Sequence, residues 1–250
     1  MAKKTDANAN ADKEEQKVET QAQAAVPAAQ EEKKPRARKT TKKWSEGAEE
    51  KMLFNKYSFK DVVVKDKSLE AYINLTTNSA FPNIYGRRAN ATYYATHSNI
   101  VERLVNKLMR GGTGQRVGGK VIRTKGRLQG KKLTVMHVVE GAFDSIHRQT
   151  NKNPIQVLVD ALQNAAPIED TTRVRYGGIK YNIAVDISSN RRLNLALRNI
   201  ALASLISAFR SRKTLSDALA NEIIAASSRE PTSYAIKIRQ ETERIARSAR

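Results

Sequence analysis

Several basic residues sit where their spacing could hold phosphate. Arg191 and Arg192 stand side by side, and Arg198 lies further along the same stretch. In a helix beginning near residue 190, the pair falls in the first turn. Cations there oppose the helix macrodipole, at a cost of roughly a few tenths of a kcal/mol each. The same turn offers free backbone N–H groups suited to phosphate. Docked phosphates would offset the unfavourable placement; pairing with Asp170 or Asp186 is the alternative use of the two side chains.

A second basic group lies just upstream. Arg173 and Arg175 alternate with Val174 and Tyr176, then Gly177 and Gly178 interrupt. Lys180 follows, and Ile179, Tyr181, Ile183, Val185 and Ile187 carry the alternation onward. Period-two patterning around Gly-Gly predicts a β-hairpin over 172–187. Arg173 and Arg175 share one face of its first strand. A basic ribbon of this kind can enter a nucleic-acid groove or lie along a phosphate backbone; a merely solvated outer face is the competing account. Two strands alone are marginal in water, so the hairpin needs support from helices or a partner.

Catalytic chemistry finds little footing. Gly114 to Lys120, GQRVGGK, matches the first seven positions of a phosphate-binding P-loop. Val121 then stands where a magnesium-binding hydroxyl belongs, and a helix rather than a strand precedes the loop. His97, His137 and His147 have no metal-ligand spacing and no Cys partners. Asp144 and His147 would be helical neighbours, but no activated Ser accompanies them. The chain reads as a non-enzyme without cofactor or metal.

The elements that must carry these residues are mostly helical. Asn99 or Ser98 caps a helix with Ile100, Val101, Leu104, Val105, Leu108 and Met109 on one face, and Gly111–Gly112 ends it. Residues 111–132 are rich in Gly, Lys and Arg and read as a mobile basic loop. A second helix runs from about Thr134 to Thr150, with Val135, Val139, Ala142, Phe143 and Ile146 inward. Pro154 opens a third at its first position, and Ile155, Leu158, Val159 and Leu162 form its apolar face. Three more follow, near 190–210, 214–228 and 232–248. Thr214 and Asp217 make a capping-box-like pair, and Glu243 with Arg247 an i,i+4 pair. The expected fold is mainly α: about six helices with one protruding hairpin over 98–250, preceded by a mixed extended region over 51–97. Residues 1–50, rich in Ala, Gln, Glu and Lys, are expected to be a disordered extension, whose end, KKPRARKTTKK, is a basic patch able to touch RNA.

Charge narrows the partner. Forty-five Lys and Arg against 25 acids give +20, which calls for a polyanion: nucleic acid or an anionic membrane surface. Residues 1–50 contribute only +1 and 51–97 only +4, so +15 resides in 98–250. Arg87, Arg88, Lys107, Arg110, Lys131 and Lys132 extend the basic surface. Aromatic residues are only 6% and show no paired stacking platform, so backbone and shape recognition of folded RNA is the expected mode. There is no Cys for disulfides, no apolar run of about 18 residues to span a membrane, and no apolar signal core at the N-terminus. A soluble, cytoplasmic protein is expected.

Seven strings, in order, resemble the family of small-subunit ribosomal protein seven: YINL at 72–75, IVERLVNKLM at 100–109, GKK at 130–132, NPIQVLVDALQNAAPIED at 153–170, TRVRYGGIKYNIAVDIS at 172–188 with the preceding Thr, RRLNLALRNIA at 191–201 and SYAIKIRQETERIARSAR at 233–250. The hairpin, the YINL segment and the ending are most similar to archaeal members. The resemblance implies a structural component of the small ribosomal subunit that binds the 3′ major (head) domain of rRNA, supports head assembly and projects its hairpin toward the exit-site tRNA and the mRNA exit. It implies ribosomal protein eleven as a neighbour and the ribosome as location. Carried over, Arg87, Arg88, Lys107, Arg110, Lys131, Lys132, Arg191, Arg192 and Arg198 become rRNA-binding candidates. Arg173, Arg175 and Lys180, flanking Gly177 and Gly178, become candidates near tRNA or mRNA. The loop 111–132 is longer than the family's usual one, and residues 1–50 match none of its motifs. A free-standing RNA- or DNA-binding regulator would fit the same charge.

Overall fold

Helix α6 (Leu215–Ser227) is the hub of the computed structural model, which describes residues 52–76, 79–86, 90, 94–110, 116–117, 120–121 and 128–250. Around it the described chain runs α1 (Lys67–Glu70), a 3-10 turn (Tyr94–His97), α2 (Ile100–Met109), strands β1 (Arg116–Val117) and β2 (Lys120–Val121), α3 (Lys132–Thr150), α4 (Pro154–Ala165), β3 (Glu169–Tyr176), β4 (Ile179–Asp186), α5 (Ser189–Ala208), α6 and α7 (Tyr234–Ser248). The fold is mainly helical with an antiparallel hairpin. Helices α3, α4 and α5 all pack on α6, and α2 packs on α5. The small side chains Ala218, Ala220 and Ala226 of α6, all buried, let the surrounding backbones approach. Gly141 of α3 does the same from the other side, facing Ser216 across the α3–α6 contact.

Local chemistry sets the helix starts. Asn99 Oδ1 accepts from Val101 N–H at 2.9 Å, and Asn153 Oδ1 accepts from Ile155 N–H at 3.1 Å ahead of Pro154. Thr214 Oγ1 accepts from Asp217 N–H at 3.1 Å. Ile155, Leu158, Val159 and Leu162 are fully buried, as their spacing requires. Glu243 pairs differently from expectation: it takes Arg239 Nε at 3.0 Å and Ile168 N–H at 3.2 Å, one turn toward the N-terminus rather than toward Arg247. There it holds the base of the hairpin.

The segment 52–76 lies against the helices. Leu53, Phe54, Leu69 and Ile73 belong to the same core as Phe143 and Leu158. Phe54 meets Phe143 edge-on at 6.1 Å, and Tyr57 O–H donates to Asp144 at 2.7 Å. Burial, together with that bond to a carboxylate, holds the Tyr57 phenol well above the ordinary tyrosine range. Asn153 Nδ2 also donates to Ser58 carbonyl at 2.8 Å, so one side chain caps α4 and ties the segment down.

Hairpin strands pair from Glu169↔Asp186 to Tyr176↔Ile179, starting three residues before the predicted 172. Gly177 and Gly178 both have positive φ, +56° and +86°, the conformation a two-residue type I′ turn demands. Beyond its base the ribbon is exposed on both faces. Its base is anchored by α7, through Arg250 to Glu169 and through Glu243. The expected disordered extension 1–50 and most of the basic loop 111–132 lie outside the described residues.

Two stability outcomes follow from this packing. Asn153→Ala removes both a cap and the Ser58 tether and should lower the unfolding free energy by about 1–2 kcal/mol in denaturant titrations; an unchanged midpoint would show the tether to be idle. Gly141→Ala places a Cβ at an ordinary 3.5 Å from Ser216, so the helical gain of about 0.5–1 kcal/mol should raise the melting temperature. A drop would mean the α3–α6 contact cannot accept a methyl group.

Candidate nucleic-acid interface

Lys107 and Arg198 face one another across a cleft between α2 and the first half of α5. The spacing of residues explains the arrangement. The apolar stripe of α2 (Ile100, Val101, Leu104, Val105, Leu108) is buried, which leaves Arg103 and Lys107, one turn apart, on an adjoining flank. On α5, Asn190, Asn194 and Arg198 recur at i, i+4 and i+8 and form the opposite wall. The cleft, of about 800 Å³, is lined by Tyr72, Thr96, His97, Lys107, Ser188, Asn190, Arg191, Asn194, Leu195 and Arg198. Among the described residues, no acidic one lines it.

Its electrostatics are one-sided. Lys107 lies below the ordinary lysine range, first because it is half-buried and then because Arg110, Arg103 and Arg198 repel its charge. Arg103 is 4% exposed and is lowered to about 10 by burial alone. Among the described residues its guanidinium donates only to neutral oxygens: Tyr72 carbonyl at 2.9 Å, Asn194 Oδ1 at 3.3 Å and Asn190 Oδ1 at 3.4 Å. Four cations thus converge, and burial raises the cost of keeping them charged. Ser188, the residue before α5, makes no side-chain cap, so the first turn of that helix keeps its N–H groups for another acceptor.

The residues singled out from sequence separate into two groups. Lys107 and Arg198 line the cleft, and Arg110 caps α2 beside them. Arg191 stands at the cleft rim, 64% exposed, while bonding Asp170 at 3.3 Å, so it links the cleft to the hairpin base. Arg192 turns inward instead: its side chain is 12% exposed and donates to Asp66 at 3.1 Å and to Pro167 carbonyl at 3.2 Å. Burial alone would raise the Asp66 carboxyl, but hydrogen bonds from Ser68 and the charge of Arg192 outweigh it and hold it below the usual range. Lys132 is likewise committed to Glu102 at 2.6 Å and Asn83 at 2.9 Å. Lys131 stays exposed at the start of α3. Arg87 and Arg88 lie outside the described residues.

On the hairpin, Arg175 pairs with Lys180 and Arg173 with Asn182, so the three cations share one exposed face. The opposite face carries Val174, Tyr176, Ile179, Tyr181, Ile183 and Val185, each at least two-fifths exposed, up to 80% at Tyr176. Sequence reasoning did not select Arg103. Its one signal was its position a single turn before Lys107.

The chain matches the family model described as ribosomal protein S7p/S5e over residues 81–250. It is 44% identical over 202 residues to the small ribosomal subunit protein uS7 of Archaeoglobus fulgidus, covering 81% of this chain and 96% of that one. To the uS7 protein of Methanococcus aeolicus it is 43% identical over 199 residues, covering 79% and 98% respectively. The Gly-Gly hairpin and every residue lining the cationic cleft except Tyr72 fall within the matched span, and the chain belongs to the ribosomal protein S7p/S5e family.

Proposed function

We propose that this chain is a structural, non-catalytic component of the small ribosomal subunit, in the cytoplasm, and that it binds the phosphate backbone of the 3′ major (head) domain of small-subunit rRNA. The observation that carries the reading is the environment of Lys107. Partial burial and then three arginines lower its proton affinity, and no carboxylate among the described residues raises it. A fold that gathers like charges without acids is stabilised by an external anion, and RNA supplies phosphates at repeating intervals. The first turn of α5 adds N–H donors to the same cleft, and Arg110, Arg191 and Lys131 widen the cationic surface.

The hairpin serves a second contact. Its Arg173, Arg175 and Lys180 face is suited to the exit-site tRNA or the mRNA near it, and its apolar face to a protein neighbour such as ribosomal protein eleven. The cleft anchors the chain and the ribbon reaches outward. Arg192 and Lys132 hold the fold and contribute to RNA binding only through it.

Binding of the full chain to a 3′ major domain fragment, against an unrelated folded RNA, across a salt series tests the reading. A specific excess that survives at physiological salt is expected; equal, steeply salt-dependent binding to both RNAs would overturn it. In the same assay, Lys107→Met with Arg198→Met should flatten the slope of log K against log salt by about 2, since each lost phosphate contact contributes roughly 0.9. Arg192→Met should leave the slope unchanged and lower the melting temperature. The reverse pattern would assign the contact to Arg192.

Lys107 also sets a pH dependence. Phosphate favours the charged ammonium, so its pKa is higher in the complex than in the free chain. Affinity therefore falls as pH rises through the lowered free-chain value, and Lys107→Arg should remove that fall. A fall of equal size in the arginine variant would place the titration elsewhere.

Excising the ribbon from Arg173 to Asp186 should leave subunit association intact and disturb exit-site function. Loss of association would show that the hairpin, too, is an anchor.

A further inference from the structure

We infer that Arg103 is a positioning residue for the RNA contact: from behind the α2–α5 cleft its guanidinium fixes the amides of Asn190 and Asn194, so that Asn190 presents N–H donors, not its carbonyl, toward the bound phosphate. The inference rests on the cleft being the rRNA-binding surface proposed above.

The reason is one of donors and acceptors. A guanidinium has only donors, so whatever bonds to it must offer oxygen. Tyr72 carbonyl takes Nη1, and Asn190 Oδ1 and Asn194 Oδ1 share Nη2. An isolated asparagine amide can rotate by half a turn at little cost. Here the turn would bring an NH₂ group against the arginine and leave two donors facing each other in a buried place. Asn194 Nδ2 spends a hydrogen on Asn190 Oδ1 at 3.2 Å, which locks the pair further. That leaves Asn190 Nδ2 with both hydrogens and no partner among the described residues, in a cleft whose charged lining is Lys107, Arg191 and Arg198. With the amides so oriented, the cleft offers donors where phosphate oxygens need them.

The charge of Arg103 adds to this. No acidic side chain of the described residues bonds to it, so the nearest available counter-ion is a phosphate held by the amides it orients. Exposed lysines elsewhere could supply attraction, but they could not fix an amide.

A double-mutant cycle on the full chain separates positioning from mere support. Binding to the 3′ major domain fragment is measured for wild type, Arg103→Met, Asn190→Ala and the double variant, with melting curves for each. Asn190→Ala and Arg103→Met should each weaken binding about tenfold. The double variant should be no weaker than the worse single, because the arginine acts through the amide. Additive losses would overturn the inference. Arg103→Lys runs in the same cycle and covers the case in which Arg103→Met does not fold: it keeps the charge but lacks the planar fork, so it should fold without restoring affinity. Full affinity in Arg103→Lys would mean that charge alone matters and would also overturn it. If Lys107→Met with Arg198→Met leaves binding untouched, the cleft reading itself fails. If that pair weakens binding while the cycle is additive, only the role of Arg103 falls.

Discussion

A guanidinium buried without a carboxylate is the constraint on which the working surface depends. The Arg103 guanidinium of α2 sits against α5, satisfied among the described residues by a backbone carbonyl and two asparagine oxygens. Removing a cation from water costs several kcal/mol unless a counter-charge offsets it. The core keeps it there because Ile100, Val101, Leu104 and Leu108 on the same helix are fully buried, which fixes the face that Arg103 and Lys107 must occupy. The apolar stripe of α2 thus decides where the positive charge goes, and the charge decides what can dock.

Elsewhere the chain uses its cations as fold-holding pieces, and acids mark the difference. Arg192 clamps the segment around Asp66 to the start of α5, Lys132 neutralises the buried Glu102, and Arg239 and Glu243 tie α7 to the loop before the hairpin. Each has a carboxylate partner. Among the described residues no carboxylate bonds Arg103, and none pairs with Arg173, Arg175 or Lys180 on the basic hairpin face; Arg191, bonded to Asp170, couples cleft and hairpin. A net charge of +20 is therefore unevenly available.

Much of this was legible in the residues. Apolar spacing located the six long helices, Asn99, Pro154 and Thr214 marked starts among them, and alternation around Gly177–Gly178 marked the hairpin. These are short-range signals, carried by neighbours within one or two turns. What escaped is long-range. The partner of Arg192 lies 126 residues away and that of Lys132 lies 30 away, so charge alone could not separate clamp from anchor. Arg103 and Glu102 interrupt an apolar run, yet both are buried, one against asparagines and one against Lys132. The segment 52–76 has no period of its own because tertiary contacts, Phe54 on Phe143 and Tyr57 on Asp144, shape it.

The most direct measurement is the acylation rate of Lys107, read by mass spectrometry in the free chain and in its complex with the 3′ major domain fragment, with Lys60 and Lys237 as internal references. Burial and then the neighbouring arginines lower the proton affinity of Lys107, which enlarges the share of neutral amine open to acylation, and a phosphate seated on it reverses that. Lys107 should label strongly in the free chain and be protected at least tenfold in the complex, with the references little changed. Equal labelling of Lys107 in both states would contradict the claim that RNA occupies the α2–α5 cleft.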